Sequence, residues 1–215
     1  MVVHMTSTHP KFIRVGITGG IAAGKSTVSN HLIERGFPVI DYDKLARDIV
    51  RPGSPVLREV AQAFGEQALD SHGMLNRPWL AEHVFQDDHQ LRTLNGIMHP
   101  AVYRLAAERE SRILAEKEHS IIFHDIPLLV ETRQLAQDNG IIFDHIMTVE
   151  ASKDVRIARM MESRHMTAAD AQSRIAMQLT RAQREEIADL VIDSQRPLET
   201  MLAQVDSAVD NWLRA

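Results

Sequence analysis

Residues 12–27 read Phe12-Ile13-Arg14-Val15-Gly16-Ile17-Thr18-Gly19-Gly20-Ile21-Ala22-Ala23-Gly24-Lys25-Ser26-Thr27. An apolar run, Ile13 to Ile17, leads into a complete G-x-x-x-x-G-K-[ST] pattern at 19–26. After it, Val28 and Leu32 lie one helical turn apart. Each part of this strand, glycine-rich turn and helix has a chemical use. Glycine carries no Cβ, so backbone N–H groups can close on an anion. A helix over 25–35 points its positive end at the same anion. Lys25 has the reach to touch β- and γ-phosphates, and the Ser26 hydroxyl is a hard oxygen ligand suited to Mg²⁺. The stretch therefore reads as a cup for a nucleoside triphosphate. Gly20, Ile21, Ala22, Ala23, Gly24, Lys25, Ser26 and Thr27 are the expected nucleotide contacts. The motif does not say what becomes of the γ-phosphate.

Outward from the cup, four further apolar runs read as strands: 37–41, 120–126, 143–150 and 189–193, beside the first at 12–18. They are near-continuous rather than alternating, as in a parallel sheet covered on both faces. The predicted fold is α/β, with three layers around a five-stranded parallel sheet. Between 41 and 120 no strand is evident. The spacing predicts several helices there, broken at Pro52-Gly53, at Gly65, at the 70–73 turn and at Pro100. Ser152 is placed to cap one later helix. Thr167, with Asp170 three residues on, is placed to cap another running to about Ile187. After Pro197, Leu198, Met201, Leu202, Val205, Val209 and Trp212 share one face of a last helix. Two insertions thus interrupt the sheet. Insertions at strand ends lie over the carboxyl edge, where ligands bind.

The composition narrows the class. The chain has 215 residues, 44% hydrophobic and 25% charged, and a net charge of −5. A disordered chain is excluded, and an acidic balance argues against indiscriminate nucleic-acid binding. With no cysteine, disulfides, thiolate metal sites and cysteine nucleophiles are excluded. No apolar run is long enough to span a membrane, and residues 1–10 lack a secretory h-region. The expected location is the cytoplasm.

Asp41-Tyr42-Asp43 closes the second strand and sets two carboxylates at the carboxyl edge. If the strand persists that far, the two share a direction. One would cap the next helix or hold the magnesium shell, and the other would take a proton from an acceptor hydroxyl; spacing does not say which. Asp125, at the end of the third strand, reads either as a magnesium-side carboxylate or as a turn residue. From 156 to 184 stand Arg156, Arg159, Arg164, Arg174, Arg181 and Arg184, against only Glu162 and Asp170. With acids so scarce, some of these arginines are expected to clamp a transferring phosphoryl group from a mobile flap that excludes water. The eleven histidines show no metal-ligand spacing.

Taken in order, these residues resemble the dephospho-CoA kinase family across nearly the whole chain. The resemblance is carried by 18–27, by Val39-Ile40-Asp41-Tyr42-Asp43, by G-x-L-x-R at 73–77, and by His99-Pro100. It continues through Asp125-Ile126-Pro127-Leu128-Leu129-Val130-Glu131, Gln178 and the 188–193 strand. It implies transfer of the ATP γ-phosphoryl to the ribose 3′-hydroxyl of dephospho-CoA, and a P-loop nucleotide-kinase-like fold in three parts. These would be an ATP-binding core (11–43, 117–154 and 187–215), a helical substrate insertion (44–116) and a lid (155–186). It selects Asp43 as the catalytic carboxylate, with Lys25, Arg159 and Arg164 as further catalytic groups. Asp43, Arg77, His99, Leu128 and Glu131 become substrate contacts, and Ser26 and Asp125 the magnesium side. The implied partners are ATP and dephospho-CoA, with no nucleic acid or membrane, for a monomer or weak homo-oligomer. The chain departs from the family pattern in three places. Arg164 stands three rather than four residues before Thr167, Ser194 replaces the usual Asn, and Arg156 replaces a frequent glutamine. The alternative readings are a nucleoside or nucleotide kinase and a GTP-type switch. The switch class carries N-K-x-D and a D-x-x-G after the third strand, and neither occurs here.

Overall fold

The computed structural model describes residues 12–84, 87–116 and 121–214. Residue 120 of the predicted third strand, residue 11 and the 1–10 tail lie outside them. The five apolar runs form β1 (Ile13–Gly19), β2 (Val39–Asp41), β3 (Ile121–Asp125), β4 (His145–Glu150) and β5 (Leu190–Asp193). All pair in parallel, in the order β2-β3-β1-β4-β5. The unbroken apolar character follows from burial on both faces. On one face α1 (Lys25–Glu34) and α10 (Leu198–Trp212) bring Val28, Leu32, Met201, Val205 and Val209 against Val15, Ile17, Phe123 and Ile192. On the other, α2 (Tyr42–Asp48), α5 (Asp88–Glu116) and α6 (Leu129–Asp138) set Leu45, Val102, Tyr103, Ala106 and Leu129 against Ile40, Ile122 and Ile146. Adjacent residues of β3, such as Ile122 and Phe123, serve opposite layers, as the two-residue period requires. The chain leaves β3 and crosses β1 to reach β4. The strand ends around β1 thus open the crevice in which such sheets bind ligands.

The segment between β2 and β3 also holds α3 (Pro55–Phe64), a 3₁₀ turn at Glu66–Ala68 and α4 (Arg77–Val84). Ser54 starts α3 by accepting a hydrogen bond from the Leu57 N–H at 3.1 Å, with Pro55 at the first helical position. Val60, Ala68, Leu80 and Val84 form a small core of their own. The turn at 70–73 closes as predicted: the Asp70 carboxylate accepts from the N–H groups of His72 and Met74, both at 2.9 Å. The predicted break at Pro100 does not occur, and α5 runs straight through it. Proline removes one hydrogen bond and crowds the carbonyl four residues back, which here belongs to the pliant Gly96. Burial of Ala101, Val102, Tyr103 and Ala106 against the sheet offsets that cost.

Beyond β4 come α7 (Lys153–Arg164), α8 (Ala168–Ala176) and α9 (Arg181–Glu186). Ser152 and Thr167 cap as expected, accepting from Val155 at 3.4 Å and Asp170 at 3.1 Å. The single helix predicted from Thr167 to about Ile187 is instead two, α8 and α9. Thr180 forms a capping box with Gln183 that restarts the chain as α9. The residues between them leave the helix because Gln178 turns in to the phosphate loop. Among the described residues, no helix is long and apolar enough to cross a membrane.

Candidate active site

The glycine-rich turn between β1 and α1 is gripped from behind. Arg156 Nε donates to the Ile21 carbonyl at 2.9 Å, and Arg159 Nη1 donates to those of Ala22 and Ala23 at 3.2 and 2.9 Å. With these carbonyls held outward, the loop has one shape. A Cβ on Gly20 would stand 2.6 Å from the Arg156 guanidinium carbon, so this glycine is needed for the guanidinium to lie against the loop. Gly24, at φ 105°, takes a conformation that side chains avoid and begins α1. It supplies no side-chain cap, and the first turn of α1 contains no acid. The positive helix end therefore faces the cup uncompensated.

The cup is a cavity of about 460 Å³ lined by Gly19 through Ser26 together with Asp43, Pro127, Arg164, Arg174, Met177 and Gln178. Lys25 pairs with Asp125 Oδ1, and Ser29 Oγ donates to Asp125 Oδ2 at 2.6 Å. The Asp41–Asp43 alternatives separate by geometry. The strand ends at Asp41, whose carboxylate caps α2 by accepting from the Lys44 N–H at 3.0 Å. Asp43, one helical residue further on, opens into the cup. The strand does not persist to Asp43, because the helix begins between the two residues, so the condition for a shared direction is not met. Crowding by protein atoms removes water from the Asp43 carboxyl and raises its pKa. Lys25 opposes this shift, and the neighbouring carboxylates Asp41 and Asp125 reinforce it.

Of the predicted site residues, the structure brings 20–26, Asp43 and Arg164 to the cup wall, with Asp125 one contact behind at Lys25. Arg159 lies elsewhere. Besides the loop carbonyls it binds Ser194, donating from Nη1 to the hydroxyl and from Nη2 to the carbonyl, both at 3.0 Å. With Thr27, Arg196 and Leu198 it lines a second hollow on the far side of the loop. Arg77 opens α4 at an exposed position, and His99 sits half-buried in mid-α5, its pKa lowered by burial. Leu128 is exposed at the start of α6, and Glu131 accepts from the Leu179 N–H at 3.4 Å. None of these four forms the cup wall. The arginine-rich window also divides. Arg184 is buried against Glu150, and Arg181 pairs with Glu185. Among the described residues neither Arg164 nor Arg174 has an acidic partner. Sequence reasoning gave no individual role to Arg174 or Gln178. Gln178 Oε1 accepts from the Ile21 N–H at 2.7 Å and from Arg156 at 3.0 Å. The sequence does hold a hint, since a T-x-x-Q capping box just after Gln178 marks a helix break there.

Behind the two carboxylates runs a buried polar chain. Arg14 donates twice to Glu110, both bonds at 2.8 Å, the His124 ring lies 3.1 Å from Glu110, and the Tyr42 hydroxyl lies 3.1 Å from the His124 ring. Burial would push the Glu110 carboxyl up, but the hydrogen bonds from Arg14 and His124 overcome it and hold the pKa at about 2, against an ordinary 4.5. Burial lowers the pKa of His124, against the opposing pull of Glu110. Both groups bind protons more weakly folded than unfolded, so both stabilise the fold above their unfolded pKa and lose that contribution on acidification. Thermal melts should show Tm falling first as pH drops below about 6.5, where unfolded histidine protonates. A steeper fall should follow below 4.5 as Glu110 is driven toward its folded value. A flat Tm from pH 7 to 4 would contradict this account.

A parallel sheet with a glycine-rich P-loop cup at its carboxyl edge, an acid facing the cup and two arginines on its wall defines a P-loop kinase. The comparisons narrow the class. A model of the dephospho-CoA kinase family matches residues 13–199. The dephospho-CoA kinase of Bifidobacterium longum is 45% identical over 203 residues, 93% of this chain and 96% of its own length. That of Streptomyces avermitilis is 42% identical over 195 residues, 90% of each chain. The solved dephospho-CoA kinase of Campylobacter jejuni superposes with a TM-score of 0.64 at 20% identity, covering 94% of this chain and 97% of that one, a likeness of fold. The chain belongs to the dephospho-CoA kinase family and is a phosphotransferase.

Proposed function

We propose that this chain moves the terminal phosphoryl group of ATP to the ribose 3′-hydroxyl of dephospho-CoA, forming CoA and ADP, the last step of coenzyme A biosynthesis. The observation that carries the division of roles is that Asp43 opens into the cavity of the phosphate loop while Asp41 is occupied as a helix cap. Phosphoryl transfer asks for little covalent help from the protein, and positioning and charge do most of the work. The loop 20–27 holds the triphosphate. Lys25 leaves Asp125 for the β- and γ-phosphates. Asp43 receives the proton of the 3′-hydroxyl as the new O–P bond forms and the bond to the ADP oxygen breaks, a task suited by its raised pKa. Arg77, His99, Leu128 and Glu131 hold dephospho-CoA beside segment 44–116, and segment 155–186 closes as a lid. Closure brings Arg164 and Arg174 onto the transferring group, while Arg159 keeps the loop in shape from behind.

The residues fit a magnesium ion. Ser26 and Asp43 bring hard side-chain oxygens to the cup, with the Asp125 carboxylate behind Lys25, and among the described residues no cluster of three or more His, Asp or Glu can hold a metal unaided. Mg²⁺ characteristically arrives with phosphates and keeps most of its water. Ser26 and Asp125 would hold it, and bound there it would neutralise charge on the phosphate oxygens. The protein acts in the cytoplasm as a monomer or weak homo-oligomer.

Arg174→Ala and Arg164→Ala should each lower kcat by roughly 10–10²-fold while changing the KM for ATP much less, because these groups serve the transition state. Steady-state kinetics would reveal a KM-only effect, which would make them ground-state binders. The function itself is tested by incubating the protein with Mg-ATP and dephospho-CoA and resolving the products by mass. CoA and ADP in equal amounts are expected. ATP loss without CoA, or faster phosphorylation of a nucleoside, would remove the reading.

A further inference from the structure

We infer that Tyr42 and His124 form a buried clasp that positions Asp43 against Asp125, and that Glu110 ties the long helix α5 into it. The inference rests on the assignment of Asp43 as the base. Tyr42 directly precedes Asp43, and His124 directly precedes Asp125. The β2–β3 ladder pairs Ile40 with His124 and Asp41 with Asp125, and there it stops. β2 is an edge strand of three residues, so Asp43 hangs from the weakest element of the sheet, just past its last backbone pair. The Tyr42 hydroxyl reaches back to His124 Nδ1 at 3.1 Å and adds the link that the ladder lacks.

The chain of hydrogen bonds has one direction. The Glu110 carboxylate, engaged twice by Arg14, only accepts, so His124 Nε2 donates to it. His124 Nδ1 then accepts, and the Tyr42 hydroxyl donates. Tyr42, His124 and Glu110 are all buried, and the Tyr42 ring also meets Tyr103 edge-on at 5.2 Å. A satisfied buried chain of this kind permits one arrangement of its members, and displacement of a catalytic group by about 1 Å costs on the order of 10²-fold in rate. Tyr42 and His124 are positioning residues, acting through the carboxylates that follow them.

The test is a cycle of Tyr42→Phe, Asp43→Asn and the double variant, with Tyr103→Phe as a matched deletion. Tyr103 loses a buried hydroxyl bonded to Thr132 at 2.6 Å, in the same core but not adjacent to either carboxylate. Tyr42→Phe should lower kcat by roughly 10–10²-fold with KM for both substrates within about twofold. In the Asp43→Asn background the same change should cost less than about twofold, because the group it positions is gone. Tyr103→Phe should shift Tm comparably and leave kcat unchanged. Wild-type kcat in Tyr42→Phe, the same loss with and without Asp43, or an equal kcat loss in Tyr103→Phe would each overturn the clasp. Wild-type rates in Asp43→Asn alone would instead overturn the assignment of the base, and the clasp with it.

Discussion

Replacing Asp43 by asparagine should lower kcat by on the order of 10²–10⁴-fold while ATP binds within about threefold of its normal affinity. The change keeps shape while removing the negative charge and the capacity to take a proton. The phosphate loop, Lys25 and the start of α1, which carry the proposed grip on the triphosphate, are untouched. The pH profile offers a second reading. Since crowding and the Asp41 and Asp125 charges raise the Asp43 pKa, outweighing Lys25, the acid limb of kcat/KM should bend at a pH above that of an ordinary aspartate. As the proposed base Asp43 works in its carboxylate form, so activity should rise with pH through that bend, and the bend should vanish in the variant. Nucleotide titration separates the roles: a loss of Mg-ATP affinity parallel to the loss of rate would make Asp43 a magnesium ligand.

Removal of the Arg184 guanidinium, as in Arg184→Met, should cost about 3–5 kcal/mol of stability. Arg184 meets Glu150 with two bonds, at 2.6 and 2.7 Å, and both residues are buried. Thr148 donates a further bond to the same carboxylate at 2.8 Å. Without the arginine, a carboxylate at the end of β4 stays in the core with its counter-charge gone, and the lost hydration of that charge is no longer offset. A chain of this length should lose roughly 6–20 °C in Tm. Calorimetry on Arg184→Met/Glu150→Leu tests the cause, because removing both charges should recover most of the loss. A single variant within about 1 kcal/mol of the parent would show that the pair does not anchor α9 to the sheet.

Much of the architecture was legible in the chain because its signals are local. Phe12 to Ser26 contain strand, turn and helix start within one stretch, and near-continuous apolar runs report burial on both faces. The caps at Ser152 and Thr167 act within three residues of themselves. The misreadings share one cause, a distant partner. Pro100 reads as a break until the sheet against α5 is known. The helix from Thr167 ends early because Gln178 engages Ile21, which is 157 residues away.

The site divides in the same way. The chain alone displays a phosphate-loop motif, a pair of candidate carboxylates beside it, and a resemblance to a kinase family through an ordered set of motifs. The arginines are different. Arg156 and Arg159 face loop carbonyls, Arg184 faces Glu150, and Arg164 and Arg174 are left facing the cup. A guanidinium takes its role from the acceptors that packing brings within about 3 Å, and those lie on other strands and loops. Backbone motifs carry their own geometry, whereas long charged side chains acquire theirs only when the layers close.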